Sequence, residues 1–328
     1  MKTLKAFRTS ALFVGSIVGA GFATGQEVLL FFGSDGVGSL VVASLFMALC
    51  AFAFTEIGAC RAMGEKVALA TNTLVSLSSL AVYAAMIAAS EEVLFSMTGQ
   101  KGLSVLLAVG MGAATGRGTG RLSFLNLVAV PFMIAVILVV GIRSGGDVVG
   151  GFRPLRALAY GGMNLLFSGA LMVKEGEEST LVGRIVSSII SGGLIFLMLF
   201  FMRRCVSMGS DMPFLDAAFR EGLGTPARVA LLLAIVTTMA SCAYLAGESL
   251  AVVTGDALLS VALVTLVGIV LSSFGFVPIV RATYPVVSLF GLLATVFALG
   301  YSFFTLCQRG KLRALLAKFS CHKIRSED

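Results

Sequence analysis

Hydrophobic runs of bilayer-spanning length, separated by short polar breaks, follow one another along the whole chain. About 20 consecutive apolar residues in a helix cross the hydrocarbon core. The runs predict ten transmembrane helices, over 9–33, 38–61, 69–97, 103–116, 122–142, 156–174, 181–203, 227–253, 256–274 and 282–306. The fold class this implies is an all-α integral membrane protein. The longest connection runs from Arg203 to Arg228, and its segment 213–222 (PFLDAAFREG) is amphipathic enough to form a short surface helix.

Ten spans divide into two five-helix groups of similar length, 9–142 and 156–306. A cytoplasmic N-terminus (1–8), an external loop (143–155) and a basic cytoplasmic tail (307–328) complete the domain organisation. An odd number of spans per half makes the second half enter from the opposite side, giving a 5+5 inverted repeat. In such folds, Gly- or Pro-interrupted spans at matching positions of the two halves point to the binding site.

The first and sixth spans have that character. Gly15, Gly19, Gly21 and Gly25 fall within eleven residues of the first, and each Gly costs about 1 kcal/mol relative to Ala in a helix interior. Thr24-Gly25-Gln26-Glu27 has the spacing of a capping box, in which Thr24 accepts from the Glu27 amide and Glu27 reaches back to the Thr24 amide. The sixth span has Tyr160-Gly161-Gly162-Met163-Asn164, then Ser168-Gly169. We therefore expect discontinuous helices 1 and 6, with non-helical backbone within 18–23 and 160–169 facing each other near mid-membrane. Exposed backbone at that depth is tolerable only where it lines a cavity or meets a ligand. The competing reading of Gly15-x-x-x-Gly19 and Gly21-x-x-x-Gly25 is close helix packing.

Composition agrees with the membrane class: 58% of residues are hydrophobic and 12% charged, against about 25% charged in soluble domains. The net charge of +7 does not indicate nucleic acid, because the basic residues lie in loops and tails. Lys311, Arg313, Lys318, Lys323 and Arg325 crowd the C-terminal tail, where they would meet the anionic leaflet of the lipid bilayer or simply water. The termini hold nine basic residues between them and decide the orientation, with both ends cytoplasmic in a multi-pass plasma-membrane protein. Lys2, Lys5 and Arg8 before an apolar run resemble a signal peptide, but the run continues through Phe32, so cleavage is not expected. Cys50, Cys60, Cys205, Cys242, Cys307 and Cys321 show no metal spacing and read as structural. His322, alone in the tail, leaves no buried His site.

The segment GSIVGAGFATGQEVLLFF resembles the opening of the YkvI-type amino-acid permease family, whose first span reads GAGFA(S/T)G(Q/R)E followed by paired aromatics. That family belongs to the amino acid–polyamine–organocation superfamily, so the resemblance implies the LeuT-like fold of the bacterial leucine transporter. It further implies that the backbone carbonyls of Gly15 and Val18 hold a sodium ion together with Thr237-Thr238, with Ser241 as the competing hydroxyl. By the same resemblance Ala20 and Gly21 bind a substrate carboxylate. Ser16 and Phe22 depart from the pattern where that transporter has Asn, which argues against a second sodium site beside the substrate.

The candidate substrate site is Gly19, Ala20, Gly21, Phe22, Tyr160, Gly161, Gly162 and Asn164, with Tyr83 lining a side-chain pocket or packing in the core. Glu27 is a helix cap or a gating or proton group, and so is Glu248, flanked by Gly247 and Ser249. Glu56, Glu91 and Glu92 read as interface residues, Lys174–Glu178 as a solvated loop, and Tyr284-Pro285 as a weak outer-gate signal. No GxxxxGK[ST] and no spaced catalytic set occurs, so neither a primary pump nor an enzyme is expected. The function expected is a secondary active transporter of a small zwitterionic solute, an amino acid, working by alternating access with sodium or proton coupling and no other cofactor. The alternative is a membrane receptor that senses an amino acid without transporting it.

Overall fold

The computed structural model describes residues 2–60, 65–115, 120–177, 179–206, 209–210 and 212–308. The basic tail from 309 on, with Cys321 and His322, lies outside the described residues, as do the side chains of Cys60 and Cys307. The chain runs through helices α1 (Lys2–Ile17), α2 (Ala20–Thr24), α3 (Gln26–Phe32), α4 (Val37–Cys60), α5 (Glu65–Thr98), α6 (Leu103–Thr115) and α7 (Gly120–Arg143). Then follow α8 (Pro154–Glu177), α9 (Leu181–Cys205), α10 (Pro213–Arg220), α11 (Gly224–Thr254), α12 (Ala257–Ser272) and α13 (Phe276–Gln308).

Among the described residues, five stretches are long and apolar enough to cross a bilayer: Val37–Ala59, Thr73–Thr98, Leu181–Cys205, Gly224–Thr254 and Phe276–Phe304. Three shorter apolar stretches, Leu103–Thr115, Pro131–Arg143 and Ala257–Ser272, accompany them. Backbone groups have no water partner in hydrocarbon, so helices, which satisfy their own amides, are the expected answer to this composition.

Helix contacts sort into two groups. In the first, α4 packs on α8 and α9, and α1 packs on the same two helices. In the second, α5, α6, α11 and α12 all touch one another. Helices α7 and α13 bridge: α7 lies against α9 and α11, and α13 against α4, α5 and α8. The short helix α2 carries the first span onto α11 of the second group.

Glycine makes the tight crossings. A Cβ at Gly162 would lie 2.7 Å from the Leu292 amide nitrogen, and one at Gly291 would collide with the Gly162 carbonyl. Gly58 and Gly176 likewise bring α4 and α8 backbone to backbone, at Val173 and Thr55. At the same end, Glu56 and Arg184 form an ion pair at 2.6 Å, both side chains being buried. The Thr9 hydroxyl donates to Glu175 at 3.0 Å, and Ser10 donates to the Ser187 carbonyl at 2.9 Å.

Two expectations are corrected here. The sixth span is unbroken: α8 is helical from Pro154 through Glu177, including the whole of 160–169. Its glycines serve approach instead, Gly161 facing Phe46 and Met47, Gly162 facing α13 and Gly169 facing Phe54. The segment from Lys174 to Glu177 is the last turn of α8 rather than a loop, held by the Gly176 crossing.

Candidate functional site

The first span breaks where its glycines cluster. Helix α1 ends at Ile17, and the Gly19 amide donates to the Ile17 carbonyl at 2.7 Å. In a continuous helix that amide would bond to Gly15, so the Gly15 carbonyl loses its helical partner. Gly19 itself is extended, at φ −86° and ψ −175°, and α2 begins at Ala20. A second interruption follows one turn later. Gly25 has φ +83°, a left-handed conformation that a Cβ would penalise, and it closes α2 as it opens α3.

The capping box takes a different form from the one expected. The Thr24 hydroxyl donates to the Gly21 carbonyl at 2.9 Å and accepts from the Gln26 amide at 3.3 Å, not from that of Glu27. The left-handed Gly25 turns the chain so that Gln26, not Glu27, meets the cap. Glu27 is thereby released from its backbone role and points into the interior.

Glu27 is 6% exposed. Its carboxyl shares a hydrogen bond with Tyr284 of α13. A Cβ at Gly21 would collide with Glu27 Oε1 and would lie 2.6 Å from the Tyr284 hydroxyl, so only Gly at 21 lets these groups meet against α2. Glu27 Oε2 is buried with no hydrogen-bond partner. Tyr160 of α8 lies within electrostatic reach of Glu27, its ring edge-on to Phe31 and Phe32 at centroid distances of 5.6 and 5.1 Å. The Tyr160 hydroxyl is also buried, with Asn164 beside it.

Helix α10 seats on this hinge. A Cβ at Gly25 would lie 3.2 Å from the Phe214 amide nitrogen, and Gln26 Nε2 donates to the Ser210 carbonyl at 2.9 Å. Pro213, Phe214, Leu215, Ala217 and Ala218 are buried beneath it. The amphipathic segment expected at the surface is thus a cover over the first-span break.

The structure brings some expected site residues together. A Cβ at Gly19 would lie 3.1 Å from the Thr238 hydroxyl, so α11 presents Thr238 directly to the break. Phe22 is fully buried beside it in α2. Thr237 and Ser241 are turned to their own helix, donating to Ala234 and Thr237 carbonyls, each at 3.0 Å. The side chain of Ala20 is outside the described residues.

Others lie elsewhere. Tyr83 packs among α5, α6 and α12, its hydroxyl donating to the Ala108 carbonyl at 3.1 Å and lying 3.4 Å from Thr265 Oγ1. Gly268 leaves room for its ring. Gly161 and Gly162 are taken up by helix crossings. Asn164 satisfies α8 itself, donating to the Tyr160 carbonyl at 3.1 Å, with Ser168 donating to its own carbonyl at 2.8 Å. Glu248 is exposed and hydrogen-bonded to Tyr244, while its neighbour Gly247 presses on Val261 of α12. It does not reach the break.

Sequence reasoning undervalued Tyr284, whose signal was a phenol in an apolar span needing a partner. It placed Glu91 at the interface, where Lys101 of the loop lies beside it, but missed that Glu91 receives the Gly102 amide at 2.7 Å and the Ser104 amide at 3.3 Å and so caps α6.

No protein-family model matches the chain, and no curated protein matches it. Solved structures do. The inward-facing conformation of Mhp1 superposes with a TM-score of 0.60 at 18% identity, covering 93% of this chain and 77% of that one. Mhp1, a nucleobase-cation-symport-1 family transporter, in a closed conformation with bromovinylhydantoin bound, gives 0.55 at 18% identity, covering 82% and 73%. At such identity the likeness speaks for the fold: this chain is a multi-pass membrane protein with the LeuT-like transporter fold.

Proposed function

We propose that the chain is a secondary active transporter of a small zwitterionic solute, an amino acid, working by alternating access. The observation that carries this reading is the place of the first-span break, where α2 leaves the first helix group and lies on α11 of the second. A ligand held there touches both groups, so its binding energy biases their relative position. The amides opening α2 and the carbonyls ending α1 are the recognition groups, with a carboxylate at the former. A sodium ion fits between the Gly15 and Val18 carbonyls and the Thr238 hydroxyl, since hard cations take oxygen ligands.

We read α1–α3 as one crossing and set α10 aside, which gives ten spans in two sets of five. Pairing each span with the one five places later matches α1 with α8, α4 with α9, α5 with α11 and α6 with α12. The first two pairs fall in the first contact group and the last two in the second, which supports an inverted repeat. The remaining pair, α7 and α13, forms the two bridges. The similarity of the first span to YkvI-type permeases supports the amino-acid class, and nothing in the site calls for covalent chemistry.

A thermal-shift screen of purified protein against single amino acids, with and without sodium, tests this reading. A ligand binding only the folded state at 100 times its Kd stabilises by about 2.7 kcal/mol. A stabilising amino acid should then accumulate in proteoliposomes under an ion gradient. Saturable binding with no accumulation under any gradient would identify a receptor instead.

A further inference from the structure

We propose that Glu27 binds and releases a proton in each transport cycle, so that the proton is a coupling ion of the site at the first-span break. The inference rests on the transport reading above and adds a second ion to it. Among the described residues, two glutamates are buried to nearly the same degree, Glu56 at 0% and Glu27 at 6% exposure. Glu56 holds Arg184 at 2.6 Å. Glu27 faces no described cation.

The titratable groups around Glu27 are all neutral partners or otherwise engaged. Helix α13 offers the Tyr284 hydroxyl, already bonded to the carboxyl, and α8 offers the Tyr160 phenol. Cys242 of α11 lies beside Tyr284 rather than Glu27. Arg203 of α9 is spent at the far end of α3, donating to the Phe32 carbonyl at 2.9 Å and the Asp35 carbonyl at 3.3 Å. Helix α2 contributes only Gly21 and Thr24 at this face, and Asp216 of α10 accepts from Ser210.

A carboxylate in such surroundings is stable only with a cation on it. The α2 backbone fills the space beside Oε1, and a proton is the cation that needs no cavity. It also removes the charge from Oε2, which has no hydrogen-bond partner. The O–H bond forms on Oε2 with a proton from the aqueous side the site faces, and breaks when the site faces the other side, the proton leaving to water. Glu27 ends the cycle as it began, with no other bond changed. Because Oε1 rests on Gly21, two residues beyond the break, the charge of this carboxyl acts on α2 directly.

The test uses the full-length protein reconstituted in phosphatidylcholine–phosphatidylglycerol vesicles and has two arms. Infrared difference spectra between about pH 5 and 9 should show the carbonyl stretch of a neutral buried carboxyl in the wild type. Glu27→Gln should remove it, while Glu27→Asp should keep a shifted band. Uptake is measured with an equimolar mixture of radiolabelled amino acids in buffer with equal sodium on both sides of the membrane. An inside-alkaline gradient of one pH unit supports about tenfold accumulation for one proton per solute, and Glu27→Gln should abolish the response to the gradient. A band that survives in Glu27→Gln, its absence from folded wild type, or gradient-driven accumulation undiminished in Glu27→Gln would each overturn the proposal. The infrared arm needs no substrate, so a wild type that accumulates none of the mixture overturns the transport reading while the band still decides Glu27.

Discussion

In the first span, glycines at 19, 21 and 25 accompany a chain that leaves the helix after Ile17 and turns again at Gly25. In the sixth, glycines at 161, 162 and 169 accompany 24 unbroken helical residues. Both stretches are apolar, and both hold a polar residue near the glycines. What separates them is the surroundings. Gly162 meets the backbone of α13 and Gly161 the side chains of α4, so a missing Cβ is used to bring helices together. Gly19 and Gly21 instead meet polar side-chain groups, the Thr238 hydroxyl at Gly19 and the Glu27 carboxyl with the Tyr284 hydroxyl at Gly21. A glycine facing carbon and backbone packs. One facing side-chain oxygens makes room for chemistry.

The most severe way to test that contrast is Gly162→Ala. Its Cβ would sit 2.7 Å from the Leu292 nitrogen and 2.9 Å from the Ser288 carbonyl oxygen, both backbone atoms that cannot rotate away. Helices α8 and α13 must separate, at a cost of about 1–3 kcal/mol or more. Thermal unfolding in detergent should show a clearly lowered midpoint. A variant that melts like the wild type would mean that the sixth-span glycines are not packing residues.

Gly19→Ala should do the reverse. Gly19 is extended with a negative φ, so Ala fits the backbone, and the added carbon meets a movable hydroxyl at 3.1 Å. Stability should stay within about 1 kcal/mol of the wild type, while ligand-induced thermal shifts vanish. Loss of folding together with loss of response would erase the distinction between the two spans.

Much of this was legible in the chain. Apolar run lengths locate the helices to within a few residues, as with Leu103–Thr115 against an expected 103–116. The first-span break was readable because a cap signal at Thr24 accompanies its glycines within the same segment. The sixth-span continuity was not, because the residues that use its glycines, Leu292 and Phe46, are far away in sequence. Of the two readings of Glu27, cap or gating and proton group, the cap one failed for the same kind of reason: its partner Tyr284 sits on α13, and only the left-handed Gly25 shows that the carboxyl turns inward. Local signals determine local geometry, and the meaning of a glycine or a buried acid depends on a neighbour that its own segment does not contain.

A finer comparison sets Thr238 against Thr237. Thr238 faces Gly19, and Thr237 is bonded to Ala234 one turn back. Thr238→Val keeps the shape and removes an oxygen, so sodium-dependent stabilisation should weaken by about tenfold in apparent affinity, on the order of 1.4 kcal/mol. Thr237→Val should change it far less. Equal effects, or a larger one at Thr237, would move the ion away from the break.

The smallest expected effect belongs to Glu248, and it sharpens the assignment of Glu27. Both were candidate titrating groups on sequence grounds, as acids flanked by small residues in apolar spans. Glu248 lies ten residues beyond Thr238 on the same helix, about 15 Å along the axis. It is exposed and holds Tyr244, away from the break. Glu248→Gln should therefore leave stability within about 0.5 kcal/mol, and pH-gradient-driven uptake should be indistinguishable from the wild type. The informative measurement is the pair of variants side by side in vesicles with equal sodium on both sides. If Glu248→Gln loses the gradient response and Glu27→Gln keeps it, the coupling group sits on α11 near the end of its span, and the inward turn of Glu27 at Gly25 is structural. If only Glu27→Gln loses it, burial without a cation is the property that marks the coupling carboxyl.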